Sequence, residues 1–153
     1  FLKTTKALEH RLENFFLKKN TLFVNDSKGT NVESTVKAIE AFKNKVVLIA
    51  GGENKKICND ELIKKINERV GFVYLIGETG TILAEEMDKV GYKKYKNLGT
   101  LEKVLLDIRE NIDFEDGQTI LFSPATASFD QFKNFEERGR IFKELTNKIL
   151  GEK

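Results

Sequence analysis

Apolar residues in this chain fall into two alternating patterns. Short continuous runs occur at TLFVN (21–25), VVLIA (46–50), FVYLI (72–76) and TILF (119–122). Unbroken hydrophobicity of that length predicts strands covered on both faces. YKKY at 92–95 is a weaker strand candidate, and LENFFL at 12–17 is placed to pair with 21–25 across Lys18, Lys19 and Asn20 as an antiparallel hairpin. Between the runs lie stripes at helical spacing. Val32, Val36, Ile39 and Phe42 form one; Leu62, Ile63, Ile66 and Val70 form a second, with Gly71 as its stop. Ile82, Leu83, Met87 and Val90 precede Gly91, Leu101 to Ile112 carries a fourth stripe, and Ile141, Phe142, Leu145 and Ile149 a fifth. Strand and helix taking turns predicts an α/β three-layer sandwich. Its sheet should be mostly parallel, of about six strands with one antiparallel N-terminal strand, and helices should cover both faces. No repeat or linker divides residues 1–153, so a single domain is expected.

Composition narrows the function classes. The 26 basic and 24 acidic residues are spread along the chain, and a net charge of +2 gives no reason to expect nucleic acid or an anionic membrane as partner. No apolar run approaches the ~18 residues of a membrane helix, and no signal peptide is visible. Cys58 is the single cysteine and His10 the single histidine, which leaves no internal disulfide and no zinc site of the usual His/Cys type. The chain begins at Phe1 and its one methionine is Met87, so it reads as a piece of a longer protein.

In open α/β sheets ligands bind beyond the carboxyl ends of the strands, so the loops after the strands carry the candidate chemistry. NDSKGTN (25–31) leads into a helix. Thr30 with Glu33 matches a capping box. Lys28, Thr30 and the free N–H groups of the helix start would also suit an anion, while Asp26 is placed to accept from hydroxyls or help hold a metal. GGENKK (51–56) offers two glycines for close backbone approach and Lys55 as a point charge. The phosphate-loop spacing G-x-x-x-x-G-K-[ST] occurs nowhere in the chain. GETGT (77–81) reads as a glycine turn into a helix. SPATASFDQFKNFEERG (123–139) starts with Ser123, expected to face the crevice, and Pro124, which ends the strand. Ser128 has no general base near it in sequence, and Phe129, Phe132 and Phe135 at spacings of three read as one helical face. Taken alone, these residues describe an anion-binding α/β module.

The order HR (10–11), NDSKGTN, GGENK and SPATASFDQFKNFEERG resembles the C-terminal domain of the Mur ligases, in particular the UDP-N-acetylmuramoyl-L-alanine:D-glutamate ligases of peptidoglycan synthesis. The last motif is highly specific, whereas GGENK alone is weak. Gly29 stands where that family often has alanine, Thr126 where it often has cysteine, and Asn54 where an acidic residue or glycine is common.

The resemblance implies a Rossmann-like closing domain of a three-domain bacterial cytoplasmic enzyme, acting as a monomer. The absent N-terminal and central domains would bind the UDP-sugar and carry the phosphate loop. ATP and Mg would be required, with the metal ligands mainly in the central domain and none here. The partners implied are D-glutamate, ATP and UDP-N-acetylmuramoyl-L-alanine. By the same resemblance Arg11, Asp26 and Lys28 would contact ATP, and Thr30, Lys55, Ser128, Phe129 and Phe135 would hold D-glutamate. No catalytic nucleophile is expected in this domain, and Phe132 is expected in the core. The alternatives are a stand-alone doubly wound nucleotide- or flavin-binding module, or a related amide ligase domain for another amino acid.

Overall fold

The computed structural model describes residues 11–52, 59–126 and 133–151. Its elements run β1 (Glu13–Lys18), β2 (Thr21–Asn25), α1 (Val32–Glu40), β3 (Val46–Gly52), α2 (Asp60–Arg69), β4 (Val70–Ile76), α3 (Gly77–Lys89), β5 (Tyr95–Gly99), α4 (Leu101–Asn111), a 3-10 turn (Phe114–Asp116), β6 (Thr119–Phe122) and α5 (Phe135–Leu150). The described strands form one sheet in the order β1-β2-β6-β3-β4-β5. β1 pairs antiparallel with β2, and all other neighbours are parallel. The predicted α/β Rossmann-like sandwich, with its single antiparallel N-terminal strand, is the observed one.

Strand side chains alternate between two cores, as the two-residue period of a strand requires. Val24, Leu48, Ala50, Val73, Leu75 and Leu121 pack with Val36 and Ile39 of α1, Leu62 and Ile66 of α2 and Leu83 and Met87 of α3. Phe23, Val47, Ile49, Tyr74, Ile120 and Phe122 pack on the other face with Leu101, Val104 and Ile108 of α4 and Phe142 and Leu150 of α5. Each of these aliphatic side chains, when fully buried, contributes about 1.5–3 kcal/mol. The continuous apolar runs therefore mean what they predicted: β3 is buried at all seven positions because helices lie above and below it.

Local details differ from expectation. Val70 and Gly71 belong to β4, not to the end of a helix: α2 stops at Arg69 and the chain enters the strand without a glycine break. The apolar stripe continued across the junction because Val70 is buried in either role. The last parallel strand is Tyr95–Gly99, not YKKY at 92–95; Tyr95 pairs with Val73 and Lys96 with Tyr74. As an edge strand it has little need for continuous hydrophobicity. GETGT is the first turn of α3 itself. α5 begins at Phe135, and Phe129 and Phe132, expected on the same helical face, lie outside the described residues.

Candidate functional site

β2 and β6 are neighbours whose following helices diverge, α1 packing on one face of the sheet and α5 on the other. A crevice at the carboxyl edge follows from that topology. Backbone hydrogen bonds join the strand ends around it. Asp26 N–H donates to Phe122 O (2.8 Å), Ala125 N–H to Gly29 O (2.8 Å) and Gly51 N–H to Pro124 O (2.9 Å). Ala125 is held at φ 69, a left-handed conformation that costs a non-glycine residue about 1–2 kcal/mol. Gly51 has φ +116, and a Cβ there would lie 2.0 Å from Ile76 O. Its glycine identity is therefore required by packing against β4, whatever ligand approaches.

A cleft of about 290 Å³ opens beside this edge, lined among others by Arg11, Asp26, Lys28, Gly29, Ser34 and Lys37. Three cations and one carboxylate make it electropositive, the character that phosphate groups require. Asp26 is almost fully buried; its Oδ1 accepts from Leu12 N–H (3.0 Å) and its Oδ2 from the Ser123 hydroxyl (2.7 Å). Burial pushes its carboxyl above the usual range, and the Ser123 hydroxyl, the Leu12 amide and the Arg11 charge each pull it back. The expected acceptance from a hydroxyl is thus met inside the protein. Ser123 itself is wholly buried, so it does not face the crevice as expected.

Arg11 and Lys28 are exposed, and Lys28 Nζ sits 4.8 Å from the centre of the Phe135 ring, a cation–π approach. Residues assigned by resemblance to nucleotide and to amino acid therefore touch. Thr30 is half-buried but is not the helix cap. α1 is capped by Asn31, whose side chain accepts from Ser34 N–H at 2.8 Å, and so the anticipated Thr30–Glu33 capping box is not formed. The cap moved one residue because either neighbour of the Thr-Asn pair can serve. Lys55, Ser128 and Phe129, like His10, lie outside the described residues.

Sequence reasoning missed the pair that fastens this region. Ser27, fully buried, donates its hydroxyl to Phe135 O (2.7 Å) and accepts from Arg138 Nε (3.0 Å), while Arg138 Nη2 donates to Ser27 O (2.8 Å). Arg138 is fully buried against the Phe122 ring. A charged residue in the first turns of an amphipathic helix gives no signal of burial; its place within the specific motif FEERG was the available clue. Ser34 and Lys37 were also missed, although α1 carries them one turn apart toward the cleft.

A mostly parallel sheet with helices on both faces and a cationic cleft at its carboxyl edge defines a Rossmann-like α/β domain. The chain belongs to the Mur ligase family: residues 10–126 match the family described as Mur ligase, glutamate ligase domain. It is 45% identical over 99% of its length to the UDP-N-acetylmuramoylalanine--D-glutamate ligase of Fusobacterium nucleatum, and 40% identical over 97% to that of Caldicellulosiruptor bescii. It spans 35% and 32% of those proteins, about a third of each. Among solved structures, it superposes on the bifunctional folylpolyglutamate synthase/dihydrofolate synthase of Yersinia pestis with a TM-score of 0.62 at 16% identity, covering 93% of this chain and 32% of that one. MurF of Acinetobacter baumannii gives 0.58 at 17% identity, covering 92% and 32%. These two share the fold.

Proposed function

We propose that this chain is the closing wall of an ATP-dependent ligase that joins D-glutamate to UDP-N-acetylmuramoyl-L-alanine, and that it holds D-glutamate and part of ATP. The observation that carries this reading is the contact of Phe135 with Lys28, which lines the cationic cleft. In such a reaction the carboxylate of the acceptor takes the γ-phosphoryl group of ATP, releasing ADP. The amine of D-glutamate then attacks the acyl phosphate, loses a proton and expels phosphate. The transferred phosphoryl group and the incoming amine must lie within bonding reach, so nucleotide and amino-acid subsites must adjoin. Lys28 against Phe135 supports that adjacency.

Arg11 and Lys28 supply positive charge to the phosphates, and Asp26 accepts from a sugar hydroxyl. Thr30, Lys55, Ser128 and the backbone around Phe129 and Phe135 hold the two carboxylates of D-glutamate through charge-assisted hydrogen bonds. Binding and orientation are the whole contribution, and no residue here acts as nucleophile. Magnesium is assigned mainly to ligands of the central domain of such a ligase. Without a phosphate loop of its own, the 153-residue chain has no ligase activity. No described helix is long and apolar enough to cross a membrane, and the proposed setting is the bacterial cytoplasm.

Titration of the isotope-labelled chain with D-glutamate and then L-glutamate, followed by NMR, tests the reading. Shifts with the D isomer at Thr30, Lys55, Ser128 and Phe135 support it. Equal shifts with both isomers, or shifts confined to the opposite edge of the sheet, count against it.

A further inference from the structure

We propose that Ser123 and Thr35 are positioning residues, a two-hydroxyl relay that aims the Asp26 carboxylate at a neutral hydrogen-bond donor, such as a sugar hydroxyl, in the cleft. Both hydroxyl residues are fully buried. Ser123 Oγ lies 2.7 Å from Asp26 Oδ2 and 2.8 Å from Thr35 Oγ1, and Thr35 Oγ1 is 3.2 Å from Ser123 O. A hydroxyl has one proton, and a carboxylate only accepts. With Asp26 ionised, the Ser123 proton must go to Asp26, so the shorter 2.8 Å contact can be a hydrogen bond only with Thr35 donating to Ser123 Oγ. The relay then runs Thr35 to Ser123 to Asp26, from α1 through the end of β6 to the end of β2.

Other contacts fix the same geometry. Leu12 N–H holds Oδ1 at 3.0 Å. Gly29 packs directly over the Ser123–Asp26 bond, since a Cβ on it would lie 2.6 Å from Ser123 Oγ and 2.8 Å from Asp26 Oδ2. Each carboxylate oxygen thus has one protein donor and acceptor capacity to spare, and Asp26 lines the cleft. Among the described residues the charged groups lining it with Asp26 are Arg11 before β1, Lys28 on its own loop and Lys37 on α1, with no second carboxylate. Phosphates would be drawn to those cations, which leaves the uncharged, hydroxyl-bearing part of a nucleotide to Asp26. The inference rests on the nucleotide reading given above.

The test follows the carboxyl carbon of Asp26 against pH in the labelled chain. In Ser123→Ala the Asp26 pKa rises, because a hydrogen bond to the charged form is lost. In Thr35→Val it rises by less, and Thr35→Ser restores it. ATP affinity of Ser123→Ala falls about tenfold, the scale of one hydrogen bond to a charged group. An Asp26 titration unchanged in Ser123→Ala overturns the relay, and if that variant does not fold, an unchanged titration in the near-isosteric Thr35→Val does so. A raised pKa with ATP affinity intact sustains the relay but removes the nucleotide from Asp26.

Discussion

Replacing Ser27 by alanine removes one oxygen and two hydrogen bonds, one to the helix-start carbonyl of Phe135 and one from the buried Arg138 guanidinium. The hydroxyl donates to Phe135 O and accepts from Arg138 Nε, at 2.7 and 3.0 Å, in surroundings with no solvent exposure at either Ser27 or Arg138. A neutral hydrogen bond contributes about 0.5–1.5 kcal/mol net, and one to a charged group about 1.5–3 kcal/mol. The Arg138 Nη2 bond to Ser27 O is made to backbone and survives. The two losses together predict destabilisation of about 3 kcal/mol, near the upper part of the range for single substitutions. For a chain of this size that lowers Tm by about 6–12 °C. Thermal unfolding followed by circular dichroism measures it, with Lys103→Ala on α4 as an exposed-helix control. A fall of under about 2 °C would mean that water or a rotated arginine replaces the bonds, and the clasp between the two loops would lose its assigned strength.

Two further outcomes follow from the same region. Asn31→Ala should cost about 1 kcal/mol in urea unfolding by uncapping α1, while Thr30→Ala should stay within about 0.5 kcal/mol; the reverse ranking would restore the capping box. Because the folded pKa of Asp26 is raised, its contribution to stability is fully present below the unfolded value of about 3.9 and is lost as pH rises through the folded value. Relative to Asp26→Asn, the wild-type chain should therefore lose stability between acid and neutral pH, and parallel curves would contradict the buried, partly offset carboxylate.

Legibility in the sequence followed burial. β6 was bounded correctly at 119–122, and β3 was found with its end two residues short, because strands covered on both faces are continuously apolar. β5, an edge strand with exposed Lys96 and Asn97, has no such run and was placed too early. Gly71 misled because a glycine after a helical stripe usually marks a C-cap, whereas here it sits inside β4. At the site, Asp26, Lys28, Arg11 and Phe135 were assigned from motif order by resemblance; the first three line one cleft, and Phe135 lies against Lys28. The buried hydroxyls of Ser27, Thr35 and Ser123, and the guanidinium of Arg138, stayed hidden because their partners are 88 to 111 residues away in sequence. Local patterns carry no record of such pairings.

The most direct test of the proposed function is the effect of Lys55→Ala in a full-length ligase carrying this chain as its last domain. Loss of one charge-assisted bond to a substrate carboxylate predicts a KM for D-glutamate raised by about 10- to 100-fold, with the KM for ATP changed far less. A D-glutamate KM equal to that of the wild type would contradict the assignment of the D-glutamate site to this chain.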